Sequence, residues 1–551
     1  MKFTTNLLRT TICSLLCLSF CLIHAQKEKA QYDALLSKAF PADGPGATAL
    51  VAKNGKIIYK NAVGMADLEL GVKMGIQNVF EIGSITKQFT SVAILMLMEE
   101  GKLSVKDEIT KFIPDYPTHG HKITLHHLLN HTSGIKSYTN MGAFSDVWRK
   151  DHSPEDLIQE FKFEPMEFAP GEAWNYNNSG YFLLGYIIEK ISGMSYEAFV
   201  EERIFQPLGM KNTYYGSMSR IIKNRAKGYQ KNGENYVNAE YLSLTIPYAA
   251  GSIMSTVEDL NIWQMTVKAG KLISKESLEM AYSNTKLNNG DYTNYGYGWG
   301  PNEIFGSKTV EHSGGIFGYL SNGIYVPEED VYVAVLSNCN CNDPGEVSTR
   351  MAALAIGKPF PSKESSINLK EADLMKLVGM YKYENGVERN IIFENGQLYS
   401  ERGGNRSSIY PTSKEHFFFD QSTASYKFTY DAKGELATVY FEDRINSSKG
   451  ERHSKEIKEK ESIEVPASIL EQYVGTYEIQ KGFELVVSLE NEKLMCQATG
   501  QGKFQLYAET EQRFFIKEFE AAIEFKKAAS GGYDSAVLFQ NGQEVLVKRI
   551  K

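Results

Sequence analysis

The sequence predicts an α/β domain over roughly residues 30–358, followed by two small antiparallel β modules. Three observations carry this reading. Strand-like segments open and close the first part: TALVAKNGKIIYKNAVG from Thr48, then YLSNGIYV from Tyr319 and VYVAVLSN from Val331. Between them, Ser84–Glu100 (SITKQFTSVAILMLMEE) is apolar almost all round and closes at Gly101, the pattern of a helix buried inside a domain. Beyond a Pro/Ser/Lys-rich stretch (PFPSKESSINLK), Leu377-Val-Gly379-Met-Tyr381 recurs as Tyr473-Val-Gly475-Thr-Tyr477. Each copy leads into alternating runs with short turns.

The helix from Ser84 carries the first chemical signal. Positions three apart share a helix face, which brings the Lys87 amine within reach of the Ser84 hydroxyl. A buried lysine loses charge stabilisation, so its neutral amine becomes available as a base. A serine at a helix N-terminus also sits where amides and the dipole favour developing negative charge. Taken alone, Ser-x-x-Lys is weak evidence. It recurs at Ser133…Lys136 and Ser283…Lys286, and an N-cap serine with an outward lysine is the commoner arrangement.

Two later motifs change that balance. In Trp174-Asn-Tyr176-Asn-Asn178-Ser-Gly180, a tyrosine hydroxyl can shuttle protons, and the Asn178 amide can hold both the lysine and a substrate carbonyl. In Glu311-His312-Ser-Gly314-Gly315, two glycines leave room for a substrate to lie against the backbone as an added strand.

The order Ser-x-x-Lys, Tyr-x-Asn, His-x-Gly resembles the serine β-lactamase and penicillin-binding-protein superfamily. The closest likeness is to its class C β-lactamase-related branch of DD-peptidases, D-aminopeptidases and esterases. EIGSITKQFT, ITLHHLLNHTSGI, FAPGEAWNYNNSGY, IFQPLGMKNT and HSGGIFGY fit the same family. The resemblance implies a mostly antiparallel sheet flanked by helices, with an all-helical lobe and the Ser84 helix between them. It implies Ser84 as acylated nucleophile, Lys87 as its base and Tyr176 as proton relay. The backbone N–H groups of Ser84 and Gly315 would form the oxyanion hole, with Asn178, His312 and Gly314 binding substrate. One departure stands out: a class C β-lactamase has Lys-Thr-Gly where this chain has His312-Ser313-Gly314. Histidine is charged only in part near neutrality, so a substrate carboxylate is held less firmly. That favours peptidase or esterase chemistry over efficient β-lactam hydrolysis. The expected substrate is a small peptide, ester or β-lactam-like molecule, with no cofactor. The other function class is a non-catalytic peptidoglycan- or penicillin-binding protein.

Length and charge agree with an enzyme of two or three domains. At 551 residues the chain exceeds a single usual core, and a net charge of -8 argues against a nucleic-acid partner. Lys2 and Arg9 precede the apolar TICSLLCLSFCLI, with Ala25 as a small residue for cleavage, so residues 1–25 read as a signal peptide for a periplasmic or secreted protein. The span is too short for a stable membrane helix. Cys21 follows a poor lipoprotein box, because Phe20 is bulky.

Of six cysteines, three lie in that leader; Cys339 and Cys341 are too close for an easy bridge, and Cys496 is distant, so no disulfide is expected. His126-His127 lacks the spacing and acidic partners of a metal site. The expected divisions are a linker at 359–370, a β module at 371–452, a second linker at 453–465 and a second module at 466–551. The charged run SSKGERHSKEIKEKESIEVP is expected to be a solvated connector. The modules look like lipocalin-like or barrel-like appendages.

Overall fold

A computed structural model describes residues 26–551, apart from 143, 421, 457–461, 481–482, 500, 518–520, 529–530 and 541–542. The leader and Cys21 fall outside the described residues. The chain divides into two compact units, Met1–Pro359 and Phe360–Lys551.

The first unit is built on a six-stranded antiparallel sheet. Its order is Gly300–Ile304, Ser307–Ile316, Tyr319–Val326, Val331–Ser337, Ala47–Lys53, Lys56–Val63. The early and late strand-like segments therefore share one sheet, with Ala47 opposite Ser337 and Lys53 opposite Val331. Every residue of Val331–Ser337 is buried, which requires cover on both faces. Register separates the faces. Leu50, Ala334 and Leu336 join the core shared with helix Val257–Lys268. On the opposite face Tyr59 packs against Tyr32 of the helix over 26–39 with their rings tilted, and Asn322 donates to Ser348 of helix Pro344–Ala355.

The helical lobe includes Leu125–Leu129, Pro154–Phe161, Asn178–Ser192 and Tyr196–Val200. Between lobe and sheet runs the helix Thr86–Glu99, entered through a single 3-10 turn at Gly83–Ile85. Twelve of its fourteen residues are buried, as an all-round apolar sequence requires. Gly101 follows in the left-handed conformation (φ 70°).

The second unit holds two β structures. Eight strands from Gly379–Tyr383 to Asn446–Ser454 close into an antiparallel barrel. A nine-stranded sheet follows, in which the first strand, Gly475–Gln480, again pairs with the last, Gln543–Arg549. The repeated motif does the same work in both. The Tyr381 hydroxyl donates to the Leu377 carbonyl at 2.5 Å, and the Tyr477 hydroxyl to the Tyr473 carbonyl at 2.9 Å. The two glycines lie where the end of each module crowds in: a Cβ on Gly379 would meet the carbonyl of Ser454 in the barrel's last strand at 2.5 Å, and one on Gly475 the carbonyl of Lys551, just past the last strand of the second module, at 2.5 Å.

Two expectations are corrected. The charged run is no connector over its first half: Asn446–Ser454 is the strand that closes the barrel, placing Gly450 against Tyr383, with Lys449 and Glu451 on the outer side. Cys339 and Cys341 do form a disulfide. The chain turns at Asn340 directly after strand Val331–Ser337, so the two Cα atoms lie only 5.1 Å apart, inside the range a disulfide spans.

Candidate active site

The turn before Ser84 is forced against the sheet. Gly83 has φ 51°, and a Cβ there would sit 2.9 Å from the Gly315 amide nitrogen. This close approach gathers the backbones of Ser84 and Gly315 at one place. Gly314 has a packing reason to be glycine, since a Cβ would lie 2.0 Å from the Ile82 carbonyl. Gly315 is freer, with only Leu320 nearby at 3.3 Å. Of the two glycines, the second leaves the room for a ligand that the sequence assigned to both.

Lys87 is fully buried and forms no ion pair among the described residues. Desolvation holds its amine well below lysine's ordinary pKa. Its Nζ lies 3.1 Å from Ser84 Oγ, 2.8 Å from Asn178 Oδ1 and 2.8 Å from the Ala250 carbonyl oxygen. A neutral amine has two N–H groups and one lone pair. With both N–H groups donated to Asn178 and Ala250, the lone pair is left for the Ser84 hydroxyl. That is the arrangement in which the amine withdraws the serine proton.

Asn178 opens helix Asn178–Ser192, whose N-cap Asn177 accepts from Gly180 N at 2.8 Å. Its side chain is spanned between Lys87 and Thr139, the latter accepting from Nδ2 at 3.1 Å, which leaves one N–H for a substrate carbonyl. The Tyr176 ring lies 4.8 Å from Lys87 Nζ. Its hydroxyl is buried and finds no hydrogen-bond partner of ordinary geometry among the described residues, although Ser84 lies close enough to counter part of the burial that raises its pKa.

His312 differs from expectation. It is 7% exposed, and burial with the nearby Lys87 pushes its pKa down to about 3. Its Nδ1 lies 2.5 Å from the Ser313 carbonyl, so Nδ1 carries the proton, and Nε2 accepts from the Tyr295 hydroxyl at 2.7 Å. The partial positive charge expected from sequence is absent because desolvation outweighs histidine's intrinsic basicity.

Three further groups, none of them in the three motifs, complete the site. Tyr295, in TNYGYGW, orients His312. His131, in HTSGI, accepts from the Asn177 amide at 3.0 Å and packs its ring 4.4 Å from Tyr176 and 4.6 Å from Tyr295. The third is the Ala250 carbonyl, a backbone atom with no side-chain signature. The other lysine motifs stand apart: Lys136 pairs with Glu167 at 2.9 Å, and Lys286 lies over the Tyr292 ring. His126 and His127 are held by Tyr297 and Thr124, and no acidic/His/Cys cluster suited to a metal occurs among the described residues. No helix among them is long and apolar enough to cross a membrane.

Residues 36–358 match the Beta-lactamase family, and residues 459–548 match a domain of unknown function, DUF3471. Penicillin-binding protein 4* of Bacillus subtilis (strain 168) is 32% identical over 421 residues, covering 72% of this chain and 92% of that protein. The octameric penicillin-binding protein homologue from Pyrococcus abyssi has a TM-score of 0.55 at 27% identity, covering 77% of this chain and 99% of that one. The D-stereospecific amidohydrolase from Streptomyces sp. has a TM-score of 0.52 at 27% identity, covering 59% and 98%.

Proposed function

This chain belongs to the beta-lactamase family and is a serine hydrolase of it; on that premise we propose that it cleaves amide bonds in D-amino-acid-containing or cell-wall-type peptides through an acyl-enzyme on Ser84. The carrying observation is the Lys87 amine, desolvated and hydrogen-bonded so that its lone pair is left for the Ser84 hydroxyl. Ser84 Oγ attacks the carbonyl while Lys87 takes its proton. The amides of Ser84 and Gly315 receive the oxyanion. Tyr176, kept protonated by burial, hands a proton to the leaving amine and is recharged from Lys87. Water then releases the acyl group by the same relay in reverse.

The substrate class is supported by the Bacillus subtilis penicillin-binding protein and the Streptomyces D-stereospecific amidohydrolase among the relatives. Neutral His312 offers no permanent cation to a carboxylate, which disfavours β-lactams and favours, within the proposed class, D-amino acid amides and peptide bonds away from a free C-terminal carboxylate. The same neutrality favours cleavage of small carboxyl esters as the second reading. Export past a leader removed near Ala25 would place the enzyme with cell-wall peptides.

The test is a substrate panel run against wild type and Ser84→Ala: D-amino acid amides, peptides ending in D-Ala, p-nitrophenyl esters and a chromogenic cephalosporin. Turnover of D-amino acid amides or D-Ala peptides above the esters, lost in Ser84→Ala, is expected. Ester turnover with no D-specific amide cleavage would replace this reading by the second.

A further inference from the structure

The barrel of the second unit is filled at one end and open at the other. Eight-stranded barrels have room either for their own side chains or for one small ligand. At one end Ile391, Leu398, Ile409, Phe417, Phe428 and Val439 fill the interior, each at most 1% exposed. Register sets a different group inward at the other end. Arg389 lies two residues from Ile391 and opposite Tyr381, and Phe441 lies opposite Tyr426. Here two cavities, of about 470 and 760 Å³, share Arg389 and Phe441 as lining. Both volumes suit a small molecule.

The polar groups of that open end keep hydrogen-bonding capacity for a ligand. The Arg389 guanidinium lies 3.9 Å over the Phe441 ring, and no carboxylate pairs with it among the described residues. Of the three carboxylates lining the cavities, Asp420 accepts from the Lys363 amide at 3.2 Å and Asp443 from the Thr423 hydroxyl at 2.7 Å, while Glu384 is exposed. Tyr383 lines the larger cavity and is 3% exposed; its hydroxyl finds no hydrogen-bond partner of ordinary geometry among the described residues, although Tyr426 lies close enough to act on its pKa. A buried donor left unpaired costs more than an average hydrogen bond contributes. Below it, the Ser400 and Tyr426 hydroxyls lie 2.6 Å apart, and the Tyr426 hydroxyl also faces Tyr383 and Arg389.

We propose that the open end of this barrel binds a carboxylate carried on a compact aromatic or apolar body. Arg389 takes the carboxylate through two parallel N–H bonds, the Tyr383 hydroxyl donates a third, and Phe419 and Phe441 cover the apolar body. This site is made of the barrel's own strands and owes nothing to the reading of Ser84.

The test is calorimetric titration of the full chain, carrying Ser84→Ala, with 4-phenylbutyrate and with 4-phenylbutyramide. The carboxylate is expected to bind and the amide to bind far more weakly. Arg389→Gln should weaken the carboxylate by roughly 10- to 100-fold while leaving the amide unchanged. Because Arg389 is half-buried and its loss can disturb the barrel, Ser407→Glu provides a second variant. Ser407 is exposed and lines the smaller cavity, so a carboxylate there should weaken binding by repulsion without touching the core. Equal affinity for acid and amide, affinity unchanged in both variants, or no saturable binding up to roughly 1 mM would each overturn the proposal.

Discussion

Lys87 and His312 face the same site, and burial removes the charge from both by the same physics. For Lys87 this creates a base. Lys87→Ala is expected to lower kcat/KM by roughly 10²–10⁴-fold, the usual worth of general-base assistance, with folding retained by thermal melt. Near-normal turnover in that variant would exclude it as the base. The sign of the pH dependence follows from the direction of its shift. A lysine depressed far below its ordinary range is already neutral at moderate pH, so kcat/KM should rise as pH climbs through the lowered pKa and then level off. His312 is neutral above about pH 3 and contributes no limb near neutrality. The pH profile of His312→Gln should therefore keep its acid limb where wild type has it, whatever the change in height. A limb displaced by about one unit or more would mean that His312 titrates in the working range.

At the scale of elements, the short motif shared by the two β modules is explained by what it closes. Tyr381 and Tyr477 each tie a strand back to the carbonyl four residues earlier, and the glycine between lets the end of each module pass. Tyr381→Phe and Tyr477→Phe remove a buried donor while leaving the carbonyl in place. Each is expected to cost about 1–2 kcal/mol in a denaturant titration, with little change in slope. A loss near zero in both would reduce the motif to a packing preference. Along the strand Ser307–Ile316 the same reasoning separates Gly314, excluded from bearing a side chain by the Ile82 carbonyl, from Gly315, where space remains.

For the whole molecule, the division at Pro359 has a thermodynamic consequence. Calorimetry is expected to resolve more than one unfolding transition. A compound that acylates Ser84 should raise the transition of the unit ending at Pro359, because a ligand stabilises the unit whose native state binds it. One transition that moves as a whole on acylation would show that the two units unfold together.

Local order along the chain was enough for much of this. The three-residue spacing of Ser84 and Lys87, the all-round apolar helix behind them and the alternation of the β modules are properties of a few turns or strands. Backbone geometry alone sets which of those positions face together. The common sheet of the first and last strands was legible too, from strand-like patterns at both ends of the domain. What needed the tertiary structure was every property that depends on atoms brought from elsewhere. The lone pair of Lys87 is left for Ser84 by Asn178, 91 residues away, and by the Ala250 carbonyl, 163 residues away. His312 is neutral because burial desolvates it and Lys87 stands nearby, which no reading of His-Ser-Gly contains. The Cys339–Cys341 disulfide depends on a turn at Asn340, and the charged run from Ser447 becomes a strand because the barrel needs an eighth edge to close. Sequence patterns record which face a residue turns inward; desolvation, long-range hydrogen bonds and closure are decided by what it meets there.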